Sequence, residues 1–168
     1  MPRYAVGAGS SLTVQARSTI HDTKTVWSSV KGDVTADPAT LAATGATATF
    51  EVDMTQFDAG DFLRNRKLRK DFDMDGNPRA TFTLTGLREV AGEGGRFRAK
   101  ADGVLRWRGK EVPLVVDGEG TLDGSRLAAT GTFELDIRKL GMSAPRFLVF
   151  KMEDEVTVQV KLAGTVAP

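Results

Sequence analysis

Residues 97–108 read FRAKADGVLRWR, and the way this stretch divides decides the fold. Phe97, Ala99, Ala101, Gly103, Leu105 and Trp107 hold the odd positions, while Arg98, Lys100, Asp102, Arg106 and Arg108 hold even ones. A backbone whose side chains alternate between two faces at period two is a β-strand with one dry and one wet face. The same alternation recurs through much of the run from Ala80 to Leu162, so the chain is expected to be mainly β. Apolar faces on that many strands must meet either in a packed core or around a cavity, and function turns on which of the two it is.

Working outward, Leu12, Val14, Ala16, Ser18 and Ile20 alternate with polar neighbours, and Val26, Ser28, Val30 and Val34 continue the theme after a polar break at His21 to Thr25. Ala46, Ala48, Phe50, Val52 and Met54 make a third strand. Asp58 to Phe72 breaks the period: Phe62, Leu63, Leu68 and Phe72 fall on one side of a helical projection, with Arg64, Arg66, Lys67, Arg69 and Lys70 mostly around the other. After the turn Asp75–Gly76–Asn77–Pro78, strands resume. Turns are expected at Ala91 to Gly95, Arg108 to Glu111, Asp117 to Gly120 and Asp123 to Ser125. Phe133, Leu135 and Ile137 form one further inward row, and Val156, Val158, Val160 and Leu162 the last. Leu140 to Phe150 is apolar without clean alternation and is expected to cover one end of the sheet.

The expected architecture is all-β, an antiparallel eight-stranded barrel with one short helix inserted after the third strand, since closure removes exposed edges. A two-sheet sandwich is the competing arrangement. At around eight strands a barrel interior is either filled by side chains or holds one small elongated ligand, and periodicity does not separate the two.

Composition excludes several functions. With 168 residues the chain is one domain in size, taken here as residues 1–168. Lys and Arg total 23 against 22 Asp and Glu, a net charge of +1, which argues against a nucleic-acid partner. The absence of cysteine removes disulfides and thiol chemistry. Residues 1–20 lack the uninterrupted apolar run of a signal peptide, and no stretch has the length of a transmembrane segment. The compartment expected from the sequence as written is the cytoplasm, with the periplasm the alternative if a leader has been removed.

Catalytic and metal chemistry finds little support. His21 is the only histidine, and Asp22 beside it would point to the opposite face of a strand. Asp71, Asp73, Asp75 and Gly76 echo a calcium loop, but Phe82 stands where its final glutamate belongs. No nucleophile elbow, phosphate-cradling loop or histidine cluster occurs. A binding protein without cofactor or metal is expected, not an enzyme.

The inward rows supply a candidate ligand-binding lining of Phe50, Val52, Phe82, Leu84, Phe97, Leu105, Trp107, Val116, Phe133 and Leu135, the same residues that would otherwise pack one another. The small residues Ala48, Ala99, Ala101 and Gly103 tilt the balance toward a hollow interior. Arg64, Arg66 and Arg69 are candidates to meet an anionic headgroup, because arginine forks onto phosphate and carboxylate. A solvated helix face is the plainer reading of the same charges.

The order of motifs resembles the YceI-like, polyisoprenoid-binding family over about Leu12 to Ala163. The matching pieces are Val30–Lys31–Gly32–Asp33; Arg64 to Phe72 followed by Asn77–Pro78–Arg79–Ala80–Thr81–Phe82; Gly103 to Lys110; Leu140 to Pro145; and Glu153 to Val158. The resemblance implies an extended lipocalin-like barrel that binds, stores or transports an isoprenoid or another long-chain lipid, and it implies a homodimer. The alternative is a filled structural or protein-interaction barrel with no small-molecule ligand.

Overall fold

The computed structural model describes residues 1–18, 22–143, 146–147 and 150–167. The expected strands are present, except that the first ends at Ala16, with Ile20 outside the described residues, and that Arg3–Val6 adds a strand the alternation did not predict. Strands β1 (Arg3–Val6) and β2 (Ser11–Ala16) flank a bend, as do β3 (Thr23–Trp27) and β4 (Val30–Ala36). The short helix α1 (Leu41–Thr44) leads to β5 (Ala46–Asp53) and β6 (Phe57–Asp58), and α2 spans Phe62–Asp71. Four long strands follow: β7 (Arg79–Ala91), β8 (Arg96–Trp107), β9 (Lys110–Leu122) and β10 (Arg126–Asp136). A 3-10 turn (Ile137–Leu140) and the small hairpin of β11 (Arg146–Phe147) with β12 (Phe150–Lys151) precede β13 (Glu155–Val166).

Hydrogen bonding runs β1-β4-β5-β7-β8-β9-β10-β13, and β13 pairs back onto β1, so eight antiparallel strands close into a barrel. Below β1 and β4, β2 continues the wall between β13 and β3, and β3 pairs with β6. The bend between β1 and β2 is pinned by Ser10, whose buried hydroxyl accepts from Ala163 N at 2.9 Å and faces Ala163 O at 3.3 Å. Outward faces carry cross-strand ion pairs such as Arg79–Glu51 at 2.7 Å and Lys100–Asp117 at 2.9 Å. Exposed pairs of this kind add little stability, so the inward face holds the fold together.

Several local expectations are corrected. Asp117 to Gly120 is no turn but lies inside β9, where Val116, Gly118, Gly120 and Leu122 continue one inward row. Gly120 stands opposite Ala129, and a Cβ on it would sit 2.2 Å from Ala128 O; this glycine serves close strand approach, not chain reversal. The row Val26, Ser28, Val30 changes phase: Thr25 and Trp27 face in while Val26 is exposed, because Ser28 and Ser29 break the strand before Val30. On α2 only Leu68 is buried; Phe62 and Leu63 face solvent. Helix α1 and the 3-10 turn add to the single expected helix, which does follow the third stave.

Candidate functional site

Buried side chains gather at the two ends of the barrel. One cluster contains Trp27, Val30, Met54, Met74, Trp107, Leu140 and Met152, beneath α2 and the 3-10 turn; the other contains Tyr4, Val6, Val34, Leu41, Leu122 and Leu127, beneath α1. Indole N–H groups anchor the first: Trp27 Nε1 donates to Met54 O at 3.2 Å and Trp107 Nε1 to Asn77 O at 2.8 Å. At the other end the fully buried Tyr4 donates its hydroxyl to Asp123 O, and burial pushes that phenol's pKa up.

Between the clusters the inward residues are incompletely buried. Along β10, Leu127 and Leu135 are buried while Ala129, Gly131 and Phe133 are not; along β9, Leu114 and Leu122 are buried while Val116, Gly118 and Gly120 are not. These side chains point away from bulk solvent within a closed wall. Their remaining accessible surface therefore belongs to an internal void, a cavity of about 320 Å³. Volumes of that order hold small ligands.

All ten residues of the sequence-derived lining, Phe50, Val52, Phe82, Leu84, Phe97, Leu105, Trp107, Val116, Phe133 and Leu135, border this cavity. Of the three arginines only Arg64 does. Arg69 is committed elsewhere, donating to Asp75 Oδ1 at 2.8 Å and Thr55 O at 2.9 Å and lying 5.2 Å from the Phe57 ring centroid. Arg66 points to solvent.

The small residues play two roles. A Cβ on Gly103 would sit 2.1 Å from Phe82 Cζ, and one on Gly32 would sit 2.6 Å from Phe50 Cδ1, so each glycine is covered by a phenylalanine ring. The two rings stack at 6.4 Å. Gly118 is different: the nearest atoms to a Cβ there are carbonyl oxygens at 3.7 and 3.8 Å, and its inward side is open cavity.

Period-two reasoning missed part of the lining. Four of the five methionines border the cavity: Met54 at the end of the row of the third strand, and Met74, Met142 and Met152 from irregular segments where no period operates. Leu87 enters because β7 shifts register between Leu84 and Gly86. Among the polar lining residues, Thr23, Thr25, Arg64 and Glu153 border the void at the α2 end, while Thr81, Glu119 and Thr130 border it from outward positions of β7, β9 and β10; the α1 end offers Leu41, Ala46, Phe97, Leu122 and Leu127. The void is thus apolar over most of its length and polar at one extremity.

His21 and residues 144–145 and 148–149 lie outside the described residues, so the dyad reading and most of the expected end cover at Leu140 to Phe150 stay at the sequence level. Leu140 itself is buried in the first cluster. The calcium-like run does not assemble: Asp71 pairs with Lys67 at 2.8 Å, Asp75 with Arg69, and Asp73 accepts from Gly76 N. Among the described residues no cluster of three metal-ligating side chains exists.

Comparison with solved structures gives the same barrel. Burkholderia cenocepacia BcnA superposes with a TM-score of 0.75 at 21% identity, covering 93% of this chain and 96% of that one. A polyisoprenoid binding domain from Saccharophagus degradans, implicated in plant cell wall breakdown, gives 0.78 at 15% identity over 98% of both chains. The Campylobacter jejuni YCEI protein gives 0.71 at 16% identity over 89% of this chain and 88% of that one. At such identities the likeness speaks to the fold alone. No curated protein matches the chain by sequence. The sequence pattern of the YceI-like domain, however, matches residues 5–163, and with the motifs and the closed barrel in place the chain belongs to the YceI-like domain family.

Proposed function

We propose that this protein binds a long-chain amphiphilic lipid, of the isoprenoid or fatty-acid type, inside the barrel, with the tail toward the α1 end and the headgroup at the α2 end. The observation that carries this reading is the uneven polarity of the void: Thr23, Thr25, Arg64 and Glu153 at one extremity, and elsewhere an apolar lining broken by Thr81, Glu119 and Thr130, which sit at outward positions of their strands. An apolar tail gains roughly 0.8 kcal/mol for each methylene removed from water, so a void of this kind favours long chains over short ones. Four methionines in the lining suit tails of differing shape, because the unbranched thioether repacks at low cost. The polyisoprenoid-binding description of the Saccharophagus relative supports the same class of ligand. The filled structural barrel is disfavoured by the void itself.

Native mass spectrometry of the purified protein, followed by solvent extraction, tests the reading. The expected result is a discrete added mass that extracts as a long-chain lipid and disappears in a folded Leu105→Lys variant, whose ammonium would stand in the void. A bare protein mass that persists after incubation with prenyl lipids and fatty acids would sink the proposal.

A further inference from the structure

Helix α2 has two faces with different tasks. Leu68 is buried, and Arg64, Leu68 and Phe72 border the cavity. On the outward side Phe62 and Leu63 are 75% and 74% exposed. Among the described residues, the other exposed large apolar side chains, Met1, Val26, Val115 and Val166, stand singly on other segments. Two adjacent large apolar side chains left in water on one helix mark an interaction surface.

The charges beside them say what kind. Arg64 pairs with Asp61 at 3.5 Å, Lys67 with Asp71 at 2.8 Å and Arg69 with Asp75 at 2.8 Å, which neutralises three cations within the fold. Among the described residues, Arg66 and Lys70 have no ion-pair partner, and both are exposed. Phe62, Arg66 and Lys70 recur at intervals of four and therefore share one side of the helix, with Leu63 next to Phe62. An exposed helical face that couples large apolar side chains to unneutralised cations is complementary to an anionic lipid surface, where the apolar groups enter the headgroup boundary and the cations meet phosphates.

We propose that the outward face of α2 docks the barrel onto an anionic bilayer, presenting the polar end of the cavity to the membrane from which its ligand is taken. This inference rests on the lipid-binding reading above. It adds a surface, a partner and a direction: Phe62 and Leu63 insert, Arg66 and Lys70 hold, and Arg64, on the same helix, borders the void they bring to the membrane.

Flotation with vesicles of phosphatidylcholine alone, and of phosphatidylcholine mixed with phosphatidylglycerol, tests it on the full chain. The protein is expected to float with the anionic vesicles, to do so less as salt rises, and to ignore the zwitterionic ones. Phe62→Ser with Leu63→Ser should weaken vesicle binding by about ten-fold or more, since two inserted apolar side chains are lost. Arg66→Glu with Lys70→Glu should abolish the preference for phosphatidylglycerol. Both variants should melt as the parent does and load a fluorescent fatty acid delivered from detergent, because neither changes a residue bordering the void. No binding of the parent to anionic vesicles, or full binding by the Ser variant, overturns the docking surface while leaving the lipid-binding reading intact; failure to load the probe strikes that reading instead. Sedimentation velocity closes the remaining arm: a parent dimer that the Ser variant converts to monomer, with no vesicle binding by either, assigns the face to a second copy and also overturns the proposal.

Discussion

Gly103 and Phe82 show how single residues shape the interior. The glycine permits the ring to lie flat against β8, with Phe82 Cζ only 2.1 Å from where a Cβ would stand and Thr83 O at 2.7 Å. From sequence, Gly103 counts as room left for a ligand; in the structure it is room taken by Phe82. Gly103→Ala should therefore force the ring outward and cost about 1–3 kcal/mol, the usual penalty for overpacking. At this chain length that lowers the melting temperature by roughly 2–4 °C per kcal/mol. A Phe82→Leu change in the same chain should recover much of the loss, because the two sites are in contact and do not add. Denaturant midpoints for the two single variants and the double variant check this; strict additivity would show that ring and glycine are not coupled.

At the scale of elements, turns and register decide what periodicity cannot. Ordinary alternation was legible wherever it held, as in β8, β10 and β13. It misled where two serines reset the phase between β3 and β4, and where β7 shifts register twice, with Glu89 at φ 53° between Arg88 and Ala91. Asp117 to Gly120 had the composition of a turn, but its glycines answer to the neighbouring strand. The turn after β9 was legible because Asp123 carries its own mechanism: one carboxylate oxygen accepts from Ser125 N at 2.7 Å, Arg126 N at 2.8 Å and Ser125 Oγ at 2.9 Å. The Ser125 and Arg126 amides first, then the Ser125 hydroxyl, hold the Asp123 carboxyl below its ordinary range. The same direction holds for Asp102 beside Arg88 and Asp136 beside Arg138. Because the folded pKa lies below the unfolded value of about 3.9, the stabilisation is complete above pH ~4 and drains away as pH falls through the folded value. Melting temperature should be flat from neutral pH to about pH 5 and fall below pH ~4. Asp123→Asn should melt lower than the parent at neutral pH and lose less on acidification; an acid limb identical to the parent's would remove Asp123 from the account.

For the whole molecule the governing quantity is the empty volume between two packed ends. Twelve residues of a strand at about 3.4 Å each, tilted by about 40°, give a barrel roughly 30 Å tall, enough for a plug at each end and a void between. Sequence supplied the inward rows and hence the ten lining residues, yet volume is a property of how rings and glycines meet across the barrel, and no row reports that. Gly118 separates capacity from stability. It is the cavity-facing glycine of β9 whose Cβ would meet nothing nearer than 3.7 Å, so a larger side chain can enter the void without displacing its neighbours. Gly118→Leu should hold or raise the melting temperature, since filling a void commonly adds about 0.5–2 kcal/mol. The same change should lower affinity for a long-chain probe by about ten-fold or more, because the leucine occupies space that the tail would otherwise fill. Shorter chains should suffer less, which shifts the preferred chain length downward. Titration of the parent and the variant with a fatty-acid series, read alongside their melting curves, gives both quantities at once. A variant that melts higher and binds every chain as the parent does would place the ligand outside the barrel; one that melts higher and discriminates by length would fix the tail against β9.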